Sequence, residues 1–168
     1  VKPGERVLVH GASGSLGVFA VQLAKHFGAH VTAVCSSANV QLVRSLGADD
    51  VIDYTAQDFT DGGPVHDVIV DVLGKAGFPR SLRALKPGGR LAFTVFREIP
   101  VYYAVLADAL ARHVSTAAAT SCLSRYTLRD ATTLRTLVDA AGFGAIAIRV
   151  LEVRRHMPAS AASVVEAM

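Results

Sequence analysis

At 168 residues the chain is long enough to bury a core of its own and short for a two-domain enzyme, so a single domain spanning 1–168 is expected. Hydrophobic residues make up 51% and charged residues 18%, which excludes a disordered protein and predicts a sheet buried on both faces. The 17 basic and 14 acidic residues are scattered, and a net charge of +3 without a like-charge block excludes a nucleic-acid footprint.

Strands and helices then alternate along the chain. "RVLVH", Arg6 to His10, is a β-branched run that predicts a first strand. Leu16, Phe19, Ala20, Leu23, Ala24 and Phe27 recur at helical spacing and predict a helix over Ser15 to Gly28. "HVTAVC" at His30 to Cys35 is a second strand, Val40 to Leu46 a helix stopped by Gly47, and Asp50 to Tyr54 a third strand. "HDVIVDVLG", His66 to Gly74, reads as a fourth strand. "GRLAFTVF", Gly89 to Phe96, reads as a fifth after the turn "KPGG". Strands separated by helices imply βαβ units, hence an α/β fold: a doubly wound, Rossmann-like parallel sheet with helices on both faces.

Beyond the fifth strand the texture changes. Val101 to His113 and Asp130 to Ala141 are expected helices, the second capped by Asp130 and stopped by Gly142. Ser115 to Arg125 is polar and small. Ile146 to Val150 and Val153 to Met157 are expected to pair as a terminal hairpin at the sheet edge. Cys35 and Cys122 lie far apart, giving neither a disulfide framework nor a zinc site, so a reducing cytoplasm is expected. No apolar run has the length of a membrane span, and no signal-peptide pattern is present. The start at Val1 suggests a piece of something longer.

The stretch "HGASGSLGVFA" joins the first strand to the first helix. A helix entered from a buried strand leaves its first N–H groups unpartnered and its positive dipole end outward, which favours an anion. The dinucleotide fingerprint G-x-G-x-x-G falls on Ala12, Gly14 and Gly17, with Gly11 as an extra glycine before it. A nucleoside-triphosphatase loop fails, because Val18 and Phe19 follow Gly17. A nucleophile elbow on Ser13 fails, because residue 15 is Ser15 and not glycine. An S-adenosylmethionine turn usually follows an acid, and here His10 stands in that place. The remaining alternative is a turn whose glycines serve helix packing alone. An NAD ribose calls for a carboxylate about 20 residues past the turn. The chain offers Ser36, Ser37 and Asn39 and no carboxylate before Asp49, which favours NADP(H) over NAD(H).

From Val1 to about Leu91 these motifs, with "LGADDVIDYTAQDF", "HDVIVDVLG" and "LKPGGRL", resemble the cofactor domain of the zinc-independent quinone oxidoreductases of the medium-chain dehydrogenase/reductase superfamily. The resemblance implies an NADPH-dependent quinone or enone reductase. It also implies a turn Ala12-Ser13-Gly14-Ser15-Leu16-Gly17 that contacts the pyrophosphate, and a serine matching Ser36 or Ser37, with Tyr54, on the 2′-phosphate. A family lysine aligns with Asn39. Val72, after the fourth strand, is counted among the cofactor-binding residues. The family's substrate domain would precede Val1, so no catalytic residue is assigned and the substrate is a small molecule of unspecified structure. From Gly88 onward, "YTLRDATTLRTLVDAAGFGAIAIRVLEVRRHMP" is similar instead to the C-terminal part of class I S-adenosylmethionine-dependent methyltransferases. The expectation is therefore a dinucleotide-binding half, 1–91, completed by a methyltransferase-like half, 92–168. A methyltransferase-like domain acting on a small molecule, or a folded hybrid without activity, are the alternatives. His10 is expected to be structural or near the ribose. His66, His113 and His156 are expected at the surface and Arg154 and Arg155 as solvated edge charges. Tyr102 and Tyr103 are expected in helix packing or at a helix start, the alternative being a cover over the nicotinamide end. Asp53 and Asp71 end strands on the side where doubly wound sheets bind ligands, and turn capping explains them as well.

Overall fold

The computed structural model describes residues 1–73, 78–94, 99, 101–124 and 130–149. They fall into two compact units, one over Val1–Asp130 and one beginning at Ala131.

The first unit carries a five-stranded parallel sheet of β1 (Arg6–His10), β2 (His30–Cys35), β3 (Asp50–Asp53), β4 (His66–Asp71) and β5 (Leu85–Phe93), in the order β3-β2-β1-β4-β5. Its described helices are α1 (Ser15–His26), α2 (Val40–Ser45), α3 (Phe78–Ala84), α4 (Val101–His113) and α5 (Thr116–Leu123). Val7, Leu8 and Val9 of β1 are all fully buried, as a central parallel strand covered on both faces requires. One face joins Val7, Val9, Val31, Ala33 and Cys35 to Val21 and Ala24 of α1 and Val43 of α2. Val70 packs toward this cluster, while its neighbour Asp71 meets Ser81 of α3. Side chains alternate along a strand, so α3 covers the opposite face from α1. The doubly wound fold is the one the sequence predicts.

α1 ends where Gly28, at φ +78°, donates to the Lys25 carbonyl, a left-handed stop that glycine makes without strain. β5 starts four residues before the expected Gly89. Lys86-Pro-Gly-Gly, expected to be a turn, is part of the strand, and a bulge between His66 and Val68 on β4 absorbs the change in register. α3 has no counterpart among the predicted elements. It is one short helix with Pro79 in its first turn, and its burial of Ser81 and Ala84 comes from tertiary contact. α5 also lies in a stretch, Ser115 to Arg125, for which the sequence predicts no element. Ser115 caps it by accepting from the Ala118 N–H at 3.1 Å, and alanines fill its first turns. His66, expected at the surface, is 3% exposed, with its Nδ1 3.2 Å from the Ala84 carbonyl. Burial holds its imidazole below the usual histidine range.

The described part of the second unit is α6 (Ala131–Ala140), whose buried residues are Leu134 and Val138, followed by Ala141 to Arg149. Ile146 to Arg149, expected as the first strand of a hairpin, carries no strand, since a two-stranded ribbon has little stability without a packed face. The hairpin's second strand, His156, Arg154 and Arg155 lie outside the described residues.

Candidate functional site

β1 pairs with β2 on one side and β4 on the other, so the chain leaving His10 emerges where the sheet's winding reverses. Doubly wound sheets bind ligands at this crevice. The turn there is fixed by backbone alone: the Gly11 and Ala12 N–H groups both donate to the Val34 carbonyl, at 3.2 and 3.0 Å. The Val72 N–H donates to the His10 carbonyl at 3.1 Å, and the Gly14 N–H to the Gly11 carbonyl at 3.0 Å.

The three glycines have different tasks. Gly11 has φ +83°, and a Cβ there would stand 2.7 Å from a methyl of Val72. A Cβ on Gly17 would overlap the Gly11 carbonyl oxygen and the Ala12 backbone, so Gly17 lets α1 seat on the turn. Gly14, the N-cap residue, has extended backbone, and a Cβ there would meet only the Gly11 oxygen, at 3.3 Å. No side chain caps α1 at Gly14 and no acid lies in its first turn. The result is an uncapped helix start beside an open glycine, which fits a phosphate group. Ala12 is buried beneath the turn, Ser13 is half-buried, and Gly14, Ser15 and Leu16 are exposed.

The ends of β2 and β3 form a second cluster. Cys35 pairs with Asp53 across the strands, and the Tyr54 N–H donates to the Cys35 carbonyl at 3.0 Å. This brings Ser36, Ser37 and Asn39, in a single 3-10 turn, beside Tyr54, whose side chain is exposed. Asn39 Nδ2 donates to Ser36 Oγ at 3.0 Å. Ser37 Oγ donates at 2.5 Å to Asp53, whose other oxygen accepts from the Thr55 N–H and hydroxyl at 2.9 and 2.7 Å. The Ser37 and Thr55 hydroxyls hold the Asp53 carboxyl below its usual range. The sequence places Asp53 at a strand end on the ligand-binding side but does not join it to Ser37, because only strand pairing brings the two together.

Under the turn, Asp71 is fully buried and accepts from the Leu73 N–H at 2.9 Å and Ser81 Oγ at 3.0 Å, with His10 Nδ1 at 3.6 Å. Burial pushes its carboxyl up, but His10, the Leu73 N–H and Ser81 together bring it below the ordinary value. His10 is buried and meets Phe59 in a tilted ring contact with centroids 4.5 Å apart, surroundings that suit the first of the two roles expected of it, structural or near the ribose. A shallow cavity of about 290 Å³ lies between α1 and the ends of β4 and β5, lined by Leu16, Phe19, Leu23, Val72 and Phe93. Tyr103 is half-buried in α4, and the side chain of Tyr102 lies outside the described set. Among the described residues no three of His, Cys, Asp and Glu gather where a metal ion would be held, and no helix is long and apolar enough to cross a membrane.

A parallel sheet with an open glycine turn at its winding reversal defines a dinucleotide-fold domain. Residues 15–133 match the family model described as zinc-binding dehydrogenase, and the chain belongs to that family. The family's named metal finds no cluster to hold it among the described residues. The mitochondrial NAD(P)H oxidoreductase RTN4IP1 of Danio rerio is 46% identical over 92 residues, covering 49% of this chain and 22% of that protein. The trans-enoyl reductase pgmF of Aspergillus terreus is 56% identical over 55 residues, 33% of this chain and 15% of its own. A 2-haloacrylate reductase structure superposes with a TM-score of 0.52 at 38% identity, over 55% of this chain and 31% of that one. The chain thus spans a third or less of the length of each relative. The family match runs on past Leu91 through α4 and α5. The methyltransferase likeness placed over that stretch has no support among these relatives.

Proposed function

We propose that this chain is the NADP(H)-binding domain of a quinone or enone reductase, with the pyrophosphate on the α1 N-terminus at Gly14 and the 2′-phosphate at the ends of β2 and β3. The observation that supports this most is the uncapped α1 start over a glycine that keeps the space beside it open. Bound NADPH supplies a hydride to an activated double bond or quinone. The chain's own contribution is to bind and orient. N–H groups of α1 hold the pyrophosphate, with Gly11, Ala12, Ser13, Ser15, Leu16 and Gly17 shaping the turn. Ser36 and Asn39 donate to the 2′-phosphate with Ser37 and Tyr54 alongside, and Val72 with the apolar cavity shields the nicotinamide side from water. Substrate groups come from sequence outside this domain, and the two free thiols suit a reducing compartment such as the cytoplasm.

A titration of NADPH, NADH and S-adenosylmethionine against the purified chain tests the reading. Saturable NADPH binding with no response to S-adenosylmethionine is expected. S-adenosylmethionine binding in the absence of any NADPH response would overturn it.

A further inference from the structure

Resting on the dinucleotide reading above, we infer that Asp53 is a specificity-determining residue, one that keeps the adenosine ribose site open to NADH by converting Ser37 and Thr55 from donors into acceptors. The argument is an account of protons. A phosphomonoester at the ribose 2′ position has acceptor oxygens and negative charge, so it needs donors. A free 2′-hydroxyl has a proton to give and is served by an acceptor. At the β2 and β3 ends, Ser37 Oγ gives its proton to one Asp53 oxygen, and Thr55 gives its hydroxyl proton to the other. The two hydroxyl oxygens lie 3.0 Å apart, so either can also donate to the other, and each of these arrangements keeps both protons inside the Ser37–Asp53–Thr55 cluster. Exposed Ser37 therefore presents oxygen outward and not hydrogen.

Ser36 is in the opposite state. It accepts from Asn39 Nδ2, so its own proton remains to be given. The Asn39 amide has a second N–H as well. One side of the 3-10 turn thus offers donors suited to a 2′-phosphate, and the other offers acceptors backed by a carboxylate suited to a 2′-hydroxyl. Among the described residues no lysine or arginine neutralises Asp53, whose partners here are Ser37 and Thr55. The 2′-phosphate would approach this charge through one intervening hydroxyl. Specificity is a difference of two affinities, and this arrangement narrows the difference.

Asp53→Asn removes the charge and returns the Ser37 proton to the site at nearly constant shape. With the full chain, titrations of NADPH and NADH, and of 2′,5′-ADP and 5′-AMP as probes, are expected to show about a three- to tenfold rise in affinity for the 2′-phosphorylated ligand of each pair. NADH and 5′-AMP affinities are expected to stay level or fall. Ser37→Ala, which removes an oxygen that serves a 2′-hydroxyl as acceptor, is expected to cost NADH affinity more than NADPH affinity, whereas Ser36→Ala, which removes a donor, is expected to cost NADPH affinity more. If Asp53→Asn binds both pairs with the parent's ratio, or if Ser37→Ala costs NADPH binding as much as Ser36→Ala, the inference falls while the dinucleotide reading stands. If the parent binds no dinucleotide, the reading itself falls. Should Asp53→Asn fail to fold, the comparison of Ser37→Ala with Ser36→Ala decides alone.

Discussion

Gly17 is in contact with the Gly11 carbonyl so closely that a methyl group at Gly17 would have to occupy the oxygen's place. The first turn of α1 therefore rests directly on backbone, and no rotamer change can relieve a substitution there. Gly17→Ala is expected to destabilise the fold by about 1–3 kcal/mol, the usual cost of overpacking, or more where backbone must move. A denaturant melt measures it, and an unchanged midpoint would contradict the contact.

Gly14 gives the contrasting outcome. Its backbone is extended and a Cβ meets only one atom, at 3.3 Å, so Gly14→Val is expected to fold with stability within about 1 kcal/mol of the parent. NADPH binding should be lost, because the side chain fills the space beside the helix start. Parent-like NADPH affinity in the folded variant would leave the turn with packing as its sole task.

Charge at the end of β2 should move cofactor preference in both directions. Ser36→Asp places a carboxylate where the 2′-phosphate would sit and is expected to favour NADH. Asn39→Lys adds a charge-assisted contact of about 1.5–3 kcal/mol before solvent and entropy costs, and is expected to favour NADPH. Paired titrations of the two cofactors check both, and a ratio unmoved in both variants would place the 2′ position elsewhere.

Acid stability should report on Asp71. Its folded carboxyl titrates below the ordinary range, which lies near ~3.9 in the unfolded chain. A depressed group contributes stability that is present above the unfolded value and is lost as pH falls through the folded one. Replacement by asparagine leaves His10 and Ser81 facing a neutral group. Asp71→Asn is thus expected to be less stable than the parent near neutral pH, with the gap closing below about pH 4. Urea unfolding at several pH values measures the slope, and a gap independent of pH would exclude the linkage.

The exposed stripe on α1 should govern self-association. Leu16, Phe19 and Leu23 are each more than half exposed, with Phe19 at 65%. Phe19→Lys is expected to leave the unfolding free energy within about 0.5 kcal/mol of the parent and to reduce concentration-dependent light scattering. Equal scattering by both proteins would show that the stripe has no such effect.

The β1–turn–α1–β2 unit was legible because its signals are local. β-branched runs and glycine spacing are read within thirty residues of one another, but the buried face of α1 was not legible: of the expected apolar face Leu16, Phe19, Leu23 and Phe27 are exposed, and α1 buries Gly17, Val21 and Ala24 against the sheet. The distinct tasks of Gly14 and Gly17 were not legible, since both are glycines and only distance to the Gly11 oxygen separates them. The link of Asp53 to Ser37 was hidden for a similar reason, although Asp53 itself reads as a strand end on the ligand side. It lies 16 residues from Ser37 in sequence and reaches it through the pairing of Cys35 with Asp53. α3 and the early start of β5 arise from contacts between elements, Ser81 with Asp71 and the bulge at His66, that leave no periodic trace in the chain.

The Val34 carbonyl receives two N–H groups from the turn, Gly11 and Ala12. Both acceptor positions of that oxygen are taken by main chain, so the turn's shape is enforced by a neighbouring strand without any side chain taking part. A ligand bound at Gly14 as proposed would meet a receptor already in its final form, and little ordering entropy would be lost in forming the loop. The amide protons of Gly11 and Ala12 should accordingly exchange with solvent only when the central sheet opens, at rates set by global unfolding and indifferent to whether a dinucleotide is present, apart from its effect on overall stability.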